Sequence, residues 1–557
     1  MNKADPLTVA HKSVRPWQHK LASTLLTVPL LGLTACPFDP GDPRPIQYQC
    51  NTVDPTPVEG AVACGANDEN LPPEPSFPSE VCQELKANKP TPDENNLDTP
   101  QVQAALNACT GKAVKLVADG ANNAFITSTL AINSVTLWID SGVTLYASRN
   151  PDLYQKTGNC GTIGVNDSGA CNDFITMSGT SPGIVGDGTI DGQGGEPLVG
   201  RDYSWWQSSY ALRAIDGSIG NPTLINTNPG TTGLLLYRIT LHNSPKFHVK
   251  ITSTPSYGTT TCNHPGDGFI VWGITLLTPS KWANSRGEVL TPSFARNTDG
   301  VDPGANSIAQ CGVIACNTIS TGDDHVAIKG GHWVSNLVIA HNHFGTGHGM
   351  SIGSETYGSY KSPDGVQHLG VENVDIYDLT IDADSRPVGA DAQAADFNGI
   401  RVKSDESRGG VVNNIQYHDI CMRDMNNAIL VSTAYNPLFA GTYIPKFGSL
   451  SFQNIHHVTC MALNPTVITL NGFNAVYPAG PLSLDNVIVD NMGPADVAAE
   501  FASIVLGPGN FGPDEQTQYR PSGQDVTVLD KRDGVTPPRQ CVFPKLPAPE
   551  PPPGWLY

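Results

Sequence analysis

The stretch "CGVIACNTISTGDDHVAIKGGHWVSNLVIAHNHFGTGHGMSIGS" (residues 311–354) alternates short apolar runs with clusters of Gly, Asn, Thr and Asp. Runs of this length between turn-forming residues are typical of β-strands, and no sustained helical period is present. Two polar motifs within it, "GDDH" (322–325) and "GHG" (347–349), each precede a short apolar run. The stretch therefore predicts short strands connected by polar turns.

Similar segments recur along the chain, mostly every 20–35 residues, as in "DGFIVWGITLLTP" (267–279) and "VENVDIYDLTID" (371–382). Repeats of this size cannot bury an apolar face alone and must stack on their neighbours. A β-propeller would need longer repeats with internal hairpins, whose characteristic turns are not regularly placed here. The pattern predicts an all-β fold, a single-domain right-handed parallel β-helix, and "TPQVQAALNAC" (99–109) predicts an N-terminal cap helix.

The spacing of the polar motifs predicts a common groove. Asp299 in "NTDG" (297–300) lies 25 residues before Asp324, and His348 lies 24 residues after it. If one coil takes about 24–25 residues, these side chains stack on adjacent strands about 4.8 Å apart. Adjacent residues on a regular strand face opposite ways, so Asp323 and Asp324 can share a groove only at a bend, which the preceding Gly322 favours.

The segment "GIRVKS" (399–404) adds two cations to this groove. Arg401 and Lys403 are two residues apart and share one face of a strand. Arg401 follows His348 by 53 residues, which predicts roughly two further coils.

The overall charge excludes one class of partner. The formal net charge is −20 and only 15% of the residues are charged. Nucleic-acid binding depends on many Lys and Arg contacts to phosphates, so a nucleic-acid partner is not expected. A polyanionic substrate would need a local cationic patch, which can dominate at contact because salt screens distant charge.

The N-terminus predicts export. Basic residues precede the apolar run "LASTLLTVPLLGLTAC" (21–36), which is too short to span a bilayer. The run ends in Leu33-Thr34-Ala35-Cys36, which resembles a bacterial lipobox with lipidation at Cys36, although an ordinary secretory signal is the alternative. We expect an extracellular protein, or a lipoprotein anchored in a bacterial outer membrane whose only membrane contact is this lipid.

The cysteines agree with export. Thirteen are present, and lipidation of Cys36 would leave an even set of twelve, which in an exported chain indicates disulfides. The close pairs Cys160/Cys171 and Cys311/Cys316 are expected to form local bridges. No cysteine or histidine cluster has the spacing of a zinc site, so neither a metal nor a cofactor is expected.

Composition suggests four segments. Residues 1–35 form the signal, and residues 37–80 are rich in Pro, Asp and Glu, which predicts a linker. Residues 81–533 form the β-helix, and residues 534–557 are a Pro-rich tail that Cys541 could attach to the body.

Four motifs in order resemble glycoside hydrolase family 28, the polygalacturonases. They are "NTDG" (297–300), "GDDHVAIK" (322–329), "HNHFGTGHGMSIGS" (341–354) and "RVK" (401–403). Weaker similarity, including "NSPKFHVKI" (243–251), extends the match over about residues 98–500. The departures are small: His325 stands where the family often has cysteine, and Val402 where isoleucine is common.

The resemblance implies roles for these residues. An inverting glycosidase needs a carboxylic acid to protonate the leaving oxygen and a carboxylate to activate water. Asp323 is the expected acid, with its pKa raised by the neighbouring aspartates, and Asp299 and Asp324 would hold and deprotonate the water. His348 would orient the acid or contact the sugar.

The remaining predicted contacts concern the substrate. Arg401 and Lys403 would bind a galacturonate carboxylate, because a guanidinium fork and an ammonium both suit that anion. Tyr435 matches in position a family tyrosine that packs on the sugar beside the cleaved bond.

The predicted activity is hydrolysis of α-1,4 bonds in polygalacturonate, the homogalacturonan of pectin, by a monomer, with endo action favoured over exo. Three alternatives remain. A rhamnogalacturonan hydrolase tends to lack the "GHG" histidine and the Arg-x-Lys pair, a pectate lyase would use calcium, and a non-catalytic surface adhesin would bind pectin without cutting it.

Overall fold

The structure is a computed structural model that describes residues 64–213, 220–254, 262–305, 307–357, 370–383, 397–435, 441–460 and 466–550, and the backbone of 52–53, 360–361 and 367–368. The predicted signal and Cys36 lie outside the described residues. A search of the described residues finds no helix with the length and hydropathy of a membrane span.

One face of the fold is an eleven-stranded parallel sheet whose strands follow one another in chain order. Its strands are β1 (Leu130–Asn133), β2 (Ile175–Ser178), β3 (Ile225–Thr227), β4 (Val249–Ile251), β5 (Val301–Pro303), β6 (Val326–Ile328), β7 (Met350–Ile352), β8 (Asn398–Lys403), β9 (Asn427–Ser432), β10 (Val467–Asn471) and β11 (Val497–Glu500).

A 23-stranded parallel sheet supplies the other faces. Its strands are Val81–Lys86, Ala113–Val117, Ala124–Thr127, Thr136–Ile139, Thr144–Ala147, Gly183–Val185, Thr189–Asp191, Leu234–Tyr237, Thr240–His242, Phe269–Trp272, Thr275–Leu277, Ile308–Ala315, Thr318–Ser320, Trp333–Ala340, His343–Phe344, Gly370–Asp382, Val411–Arg423, Lys446–Phe447, Leu450–Val458, Ala479–Val489, Ala502–Leu506, Phe511–Gly512 and Thr527–Asp530. Parallel pairing between consecutive coils is the pattern of the predicted parallel β-helix, and parallel crossovers are right-handed.

The remaining elements are short. Two-stranded pairs join Thr52–Val53 with Phe543–Pro544, Thr231–Thr232 with Ser253–Thr254, and Tyr360–Lys361 with Gln367–His368. Within the described residues, the helices are α1 (Thr99–Ala108) and α2 (Trp205–Tyr210), and 3₁₀ turns occur at Pro151–Tyr154 and Pro494–Asp496.

Helix α1 confirms the predicted cap. Its apolar side chains Val102, Ala105 and Leu106 are buried, and the Gln103 amide exchanges hydrogen bonds with the backbone of Ala131 in β1. The helix therefore covers the exposed edge of the first coil, where unpaired backbone groups would otherwise invite association.

The interior consists of columns of apolar residues, one from each coil. Val249, Val301, Val326, Met350 and Ile400 are all fully buried and occupy matching positions of β4 to β8. Because parallel strands stack in register, each coil buries the apolar face of its neighbours.

This register confirms the predicted coil of 24–25 residues but corrects the next step. Val301 pairs with Val326 and Val326 with Met350, as the motif spacing predicts. Ser351 then pairs directly with Arg401, so one coil separates the "GHG" and "RVK" motifs, and the prediction of two was wrong. This coil carries the Tyr360–Lys361/Gln367–His368 hairpin, which adds residues before the strand Gly370–Asp382.

The predicted linker also needs correction where the structure describes it. Residues 64–80 pack on the 23-stranded sheet: Cys64 forms a disulfide with Cys316, and the Phe77 ring stacks 5.1 Å from that of Trp138. Leu71 is buried in the same contact. Apolar residues are few in this segment, but they are spaced to contact the sheet, which composition alone does not reveal.

The disulfides match the predictions in part. Cys160–Cys171 forms as expected, and Cys421–Cys541 attaches the C-terminal tail. Cys311 and Cys316 do not pair with each other, because Cys316 is bonded to Cys64 and Cys311 to Cys262. Both residues stand at turns with positive φ on one long strand region, and their partners come from other parts of the chain. The bridge Cys82–Cys109 secures the end of α1.

Candidate active site

The site lies where three neighbouring strands begin. Asp299, Asp324 and His348 each lie two residues before the first residue of β5, β6 or β7, so the coil repeat brings them to the same end of the sheet. The residue after Asp299 is Gly300, and a side chain does not fit at this position because its Cβ would lie 2.3 Å from the carbonyl oxygen of His325. The backbones of adjacent coils can therefore approach closely at this end, and the polar side chains face one groove.

Asp323 and Asp324 both reach the groove because they lie in the bend before β6, not on the strand itself. At Gly322 a Cβ would lie 2.3 Å from the carbonyl oxygen of Ala295, so the bend depends on glycine. The Asp324 backbone N–H donates to Asp323 Oδ1 at 2.9 Å, and that of Asn297 donates to Asp323 Oδ2 at 3.1 Å. The predicted bend is thus what places the two carboxylates together.

Asp323 forms a pair with His348. Their closest atoms, Oδ1 and Nδ1, are 3.1 Å apart, and the backbone N–H of His348 donates to the Asp323 carbonyl. Burial by itself would raise the pKa of Asp323, but the charge and hydrogen bond of His348 outweigh it and hold that pKa below its usual range. The sequence prediction of a raised pKa at Asp323 is therefore not what the unliganded structure gives.

Asp324 is surrounded by donors. Lys403 Nζ donates to its Oδ2 at 3.0 Å, Ser351 Oγ to its Oδ1 at 2.8 Å, and Arg401 pairs with Oδ1 as well. Burial opposes ionisation, but the charges of Arg401 and Lys403 outweigh it and lower the pKa of Asp324. Asp324 is therefore ionised across the physiological range.

Asp299 has the opposite environment. It is 3% exposed, and the nearest cation is Lys329, whose Nζ lies 3.4 Å from its Oδ2. Burial, followed by the negative charge of Asp323, raises the pKa of Asp299 to about 7. The raised pKa that the sequence analysis assigned to Asp323 thus belongs to Asp299 in this structure.

The predicted cations and the tyrosine line the same groove. Arg401 and Lys403 are both buried, and the Tyr435 ring, 40% exposed, lies 5.1 Å from Lys403 Nζ. The cavity has a volume of about 930 Å³, and all seven predicted catalytic and substrate-binding residues contribute to its wall: Asp299, Asp323, Asp324, His348, Arg401, Lys403 and Tyr435.

Several groove residues were missed by the sequence analysis. Ser351 connects Asp324 to Arg401, whose Nε donates to Ser351 Oγ at 3.2 Å. Asp302 is buried beside Asp299, and Glu355 lies 3.5 Å from Lys329. Ser351 and Asp302 could have been found from the coil period, because they occupy matching outward positions on β7 and β5.

His325, one of the two departures from the family pattern, holds the loop that carries His348. The Gly349 backbone N–H donates to His325 Nδ1 at 3.0 Å, and His325 Nε2 lies 3.0 Å from the carbonyl oxygen of Gly345. Burial lowers the pKa of His325 to about 4, so its ring is neutral near pH 7, with the proton on Nε2. The neutral tautomer can accept and donate at once, as both loop contacts require.

The side chains could offer ligands to a cation, but the local charge opposes it. Ligand atoms of Asp323, Asp324 and His348 lie within 4.8 Å of one another. Arg401 and Lys403 already neutralise Asp324, so a divalent ion at this position would meet two positive charges. The donor set therefore fits a proton-transfer site better than a metal site.

Comparison with known proteins identifies the family. The sequence model of "Glycosyl hydrolases family 28" matches residues 139–502. This chain belongs to glycoside hydrolase family 28. The resemblance that the four motifs carry is thereby confirmed, and the family 28 chain is a glycoside hydrolase.

Individual relatives cover most of this family 28 chain. A polygalacturonase of Ralstonia nicotianae is 37% identical over 468 residues, 76% of this chain and 81% of its own length. An endo-polygalacturonase of Pectobacterium carotovorum subsp. carotovorum is 37% identical over 420 residues, 74% of this chain and 88% of its own. Among solved structures, a polygalacturonase from Erwinia carotovora ssp. carotovora has a TM-score of 0.60 at 31% identity, covering 83% of this chain and 100% of that one.

Proposed function

We propose that this chain is a polygalacturonase that hydrolyses the α-1,4 bonds between galacturonate residues of homogalacturonan, with inversion and endo action. The observation that carries the proposal is one groove in which three aspartates and a histidine adjoin an arginine and a lysine. Relatives of this chain named polygalacturonase and endo-polygalacturonase support the substrate and the endo mode.

Asp323 and His348 supply the acid. His348 Nδ1 lies 3.1 Å from Asp323 Oδ1 and orients the carboxyl, and Asp323 passes a proton to the glycosidic oxygen as the bond breaks. The two backbone N–H donors from Asn297 and Asp324 keep the Asp323 carboxyl facing the groove. Such positioned proton transfer contributes about 10²–10⁴-fold to a rate.

Asp299 and Asp324 hold the attacking water. Their carboxyl groups lie on adjacent coils, so a water between them can donate to one and accept from the other when Asp299 is protonated. One ionised member is enough to take the proton of the water as it attacks the anomeric carbon. The two carboxylates share their protons, and the apparent pKa values of catalysis belong to the set.

Arg401, Lys403 and Tyr435 bind the sugar at the cleaved bond. The two cations balance Asp324 in the unliganded groove, and their ammonium and guanidinium groups also suit the carboxylate of a galacturonate. The half-exposed Tyr435 ring offers an apolar surface to the sugar face.

The disulfides suit an oxidising compartment, which supports export. We propose a monomer that leaves the bacterial cytoplasm through its N-terminal segment and is lipidated at Cys36. The mass of the mature N-terminal peptide, with or without a diacylglycerol on that cysteine, decides between lipoprotein and free enzyme.

The decisive experiment compares the wild type with Asp323→Asn on polygalacturonate. We expect the wild type to release mixed oligomers early, without calcium and without unsaturated ends, and the variant to lose at least about 10²-fold in kcat while still binding polymer. Release of monomer alone would indicate exo action. No depolymerisation by the wild type, or equal activity of both proteins, would contradict the proposal.

A further inference from the structure

The C-terminal tail runs back along the outer face of the fold. It begins at Cys541, which forms a disulfide with Cys421. At its other described end, Glu550 pairs with Lys281 in a parallel bridge. The family pattern matches residues 139–502, so the tail lies beyond the part of the chain that carries this pattern.

The tail crosses the coils that carry the catalytic candidates. Matching positions of successive coils, each paired with the next, are occupied by Thr275, Thr318, His343, Thr380 and Cys421. These four pairings span about 19 Å at about 4.8 Å each, and an extended tail covers about 3.3 Å per residue, so residues 541–550 are long enough. Asp299, Asp324 and His348 all lie on the chain between Thr275 and Cys421.

Three hydrogen bonds attach the end of the tail to residues 280–282. The Glu550 N–H donates to the Ser280 carbonyl oxygen, and the Trp282 N–H donates to the Glu550 carbonyl oxygen, both at 2.9 Å. The Trp282 Nε1–H donates to the Pro549 carbonyl oxygen at 2.9 Å. Proline has no N–H to donate, so its carbonyl oxygen is the backbone group through which it can be held. The tail is therefore bound in a defined register, as a strand added to an edge would be.

A chain of hydrogen bonds connects this attachment with Asp299. Asn243 Nδ2 donates to Ser280 Oγ at 2.7 Å, and the Ser280 N–H donates back to Asn243 Oδ1 at 2.9 Å. The Asn243 N–H donates to Thr278 Oγ1 at 2.8 Å, and Thr278 Oγ1 lies 2.8 Å from His248 Nε2. The His248 N–H donates to the Asp299 carbonyl oxygen at 2.9 Å.

The members of this chain can transmit a displacement because all of them are buried. Ser280, Asn243, Thr278 and His248 are each at most 8% exposed. A buried polar group that loses its partner costs free energy, since water cannot replace the lost bond. The position of each member therefore fixes that of the next, from Ser280 under the tail to the backbone of Asp299.

We propose that residues 541–550 form a C-terminal strap that holds Asp299 in position for the attacking water. The disulfide of Cys541 fixes one end of the strap, and Ser280 and Trp282 fix the other, so the catalytic coils between them cannot shift without breaking an attachment. Glu550, Ser280 and Trp282 are positioning residues, because none of them belongs to the wall of the groove. This inference rests on the proposed function, since it gives the strap a role in the hydrolysis.

The test is Glu550→Pro in the full chain, which removes the N–H that donates to Ser280. We expect kcat on polygalacturonate to fall roughly tenfold with little change in KM, because the water is misplaced while the substrate-binding cations are untouched. The apparent pKa near 7 in the pH profile of kcat/KM should move to lower pH, since a less tightly held Asp299 is better hydrated. A loss of folded protein alone would scale the profile without moving this pKa.

Ala548→Pro is the matched control, because it adds a proline to the same tail at an exposed residue whose N–H makes no hydrogen bond within the described part of the chain. Thr278→Val interrupts the chain of hydrogen bonds inside the fold, and in this background Glu550→Pro should cause no further loss of kcat.

Three results would overturn the role of the strap. They are equal kcat and pH profiles for the two proline variants, a profile of Glu550→Pro that is only scaled, and losses of kcat that add in the Thr278→Val background. If the wild type hydrolyses polygalacturonate in the same assays, any of these results leaves the proposed function intact. No hydrolysis by the wild type would overturn both.

Discussion

Asp299 and Asp323 show how the same side chain acquires opposite properties in one groove. Both are aspartates beside the cleft, yet Asp323 faces His348 and two backbone donors, whereas Asp299 is buried with Lys329 as its nearest cation and with other carboxyl groups close by. Burial raises the pKa of both, and the neighbours decide the outcome: that of Asp323 falls below its usual range and that of Asp299 rises to about 7.

The raised pKa of Asp299 makes stability depend on pH. Between about pH 4 and 7 the folded protein holds a proton on Asp299 that the unfolded chain has lost, so the free energy of unfolding falls as the pH rises through this window and levels off above pH 7. Asp299→Asn removes this dependence. We expect the variant to gain stability relative to the wild type, on the order of 3 kcal/mol between pH 4 and 7.5, measured by denaturant unfolding.

Asp323→Asn is the control for this prediction. The lowered pKa of Asp323 places its own proton uptake below about pH 4, with the opposite sign, so the stability of this variant should still fall between pH 4 and 7.5. The fall should be smaller than in the wild type, because the negative charge of Asp323 contributes to the raised pKa of Asp299. Identical slopes for Asp299→Asn and the wild type would show that Asp299 is ionised throughout.

At the scale of strands, the site depends on how closely β5 and β6 approach at their first residues. The Gly300 and Val301 N–H groups donate to the carbonyl oxygens of Asp324 and His325 on the next coil, at 2.9 and 3.1 Å. These two bonds fix the positions of Asp299 and Asp324 relative to each other. The catalytic geometry is thus a property of backbone pairing between coils.

Gly300→Ala tests this dependence. The added Cβ would lie 2.3 Å from the His325 carbonyl oxygen and 3.0 Å from Ile319 Cγ2, so the strands must separate. We expect the free energy of unfolding to fall by about 1–3 kcal/mol, as for overpacking elsewhere. We also expect kcat to fall by a larger factor than the fraction of folded protein does. Melting curves and initial rates measure both quantities.

Gly534→Ala is the matched control, because an added Cβ there meets nothing within 4 Å. If Gly300→Ala has the same stability and kcat as Gly534→Ala, the close approach of the two coils at Gly300 does not determine the geometry of the site.

At the scale of the whole molecule, both ends of the described chain are tied to the outer face of the 23-stranded sheet. Cys64 bonds to Cys316, and Asp68 accepts from Tyr377 at 2.6 Å and lies 2.8 Å from His341. At the other end, Cys541 bonds to Cys421, and Arg539 pairs with Asp378 and Asp419. Because these ties lie outside the groove, they stabilise the coil without contacting the site.

The 120-residue separation of Cys421 and Cys541 predicts a large contribution to stability. Closing a longer loop removes more entropy from the unfolded chain, so Cys421→Ser/Cys541→Ser should cost about 5 kcal/mol. The control Cys160→Ser/Cys171→Ser opens an 11-residue separation and should cost about 3 kcal/mol. Denaturant unfolding of both double variants measures the difference, and a smaller loss for the first would contradict the entropic account.

The sequence by itself determined the fold and the meeting of the catalytic candidates. A constant spacing of 24–25 residues between Asp299, Asp324 and His348 becomes a constant spatial step once the strands stack in parallel, so distance along the chain converts directly into register. The glycine before the aspartate pair likewise signalled the bend that turns both carboxylates to the groove.

The tertiary structure was needed for the features that depend on several coils at once: the number of coils, the disulfide partners and the pKa values of the aspartates. The single long coil between His348 and Arg401 could not be counted from spacing, because a hairpin on a turn adds residues without adding a coil. The partners of Cys311 and Cys316 come from Cys262 and Cys64, which sequence proximity does not indicate. The raised pKa belongs to Asp299 and not to Asp323, because it is set by burial and by charges on neighbouring strands, and these exist only after the coils have stacked.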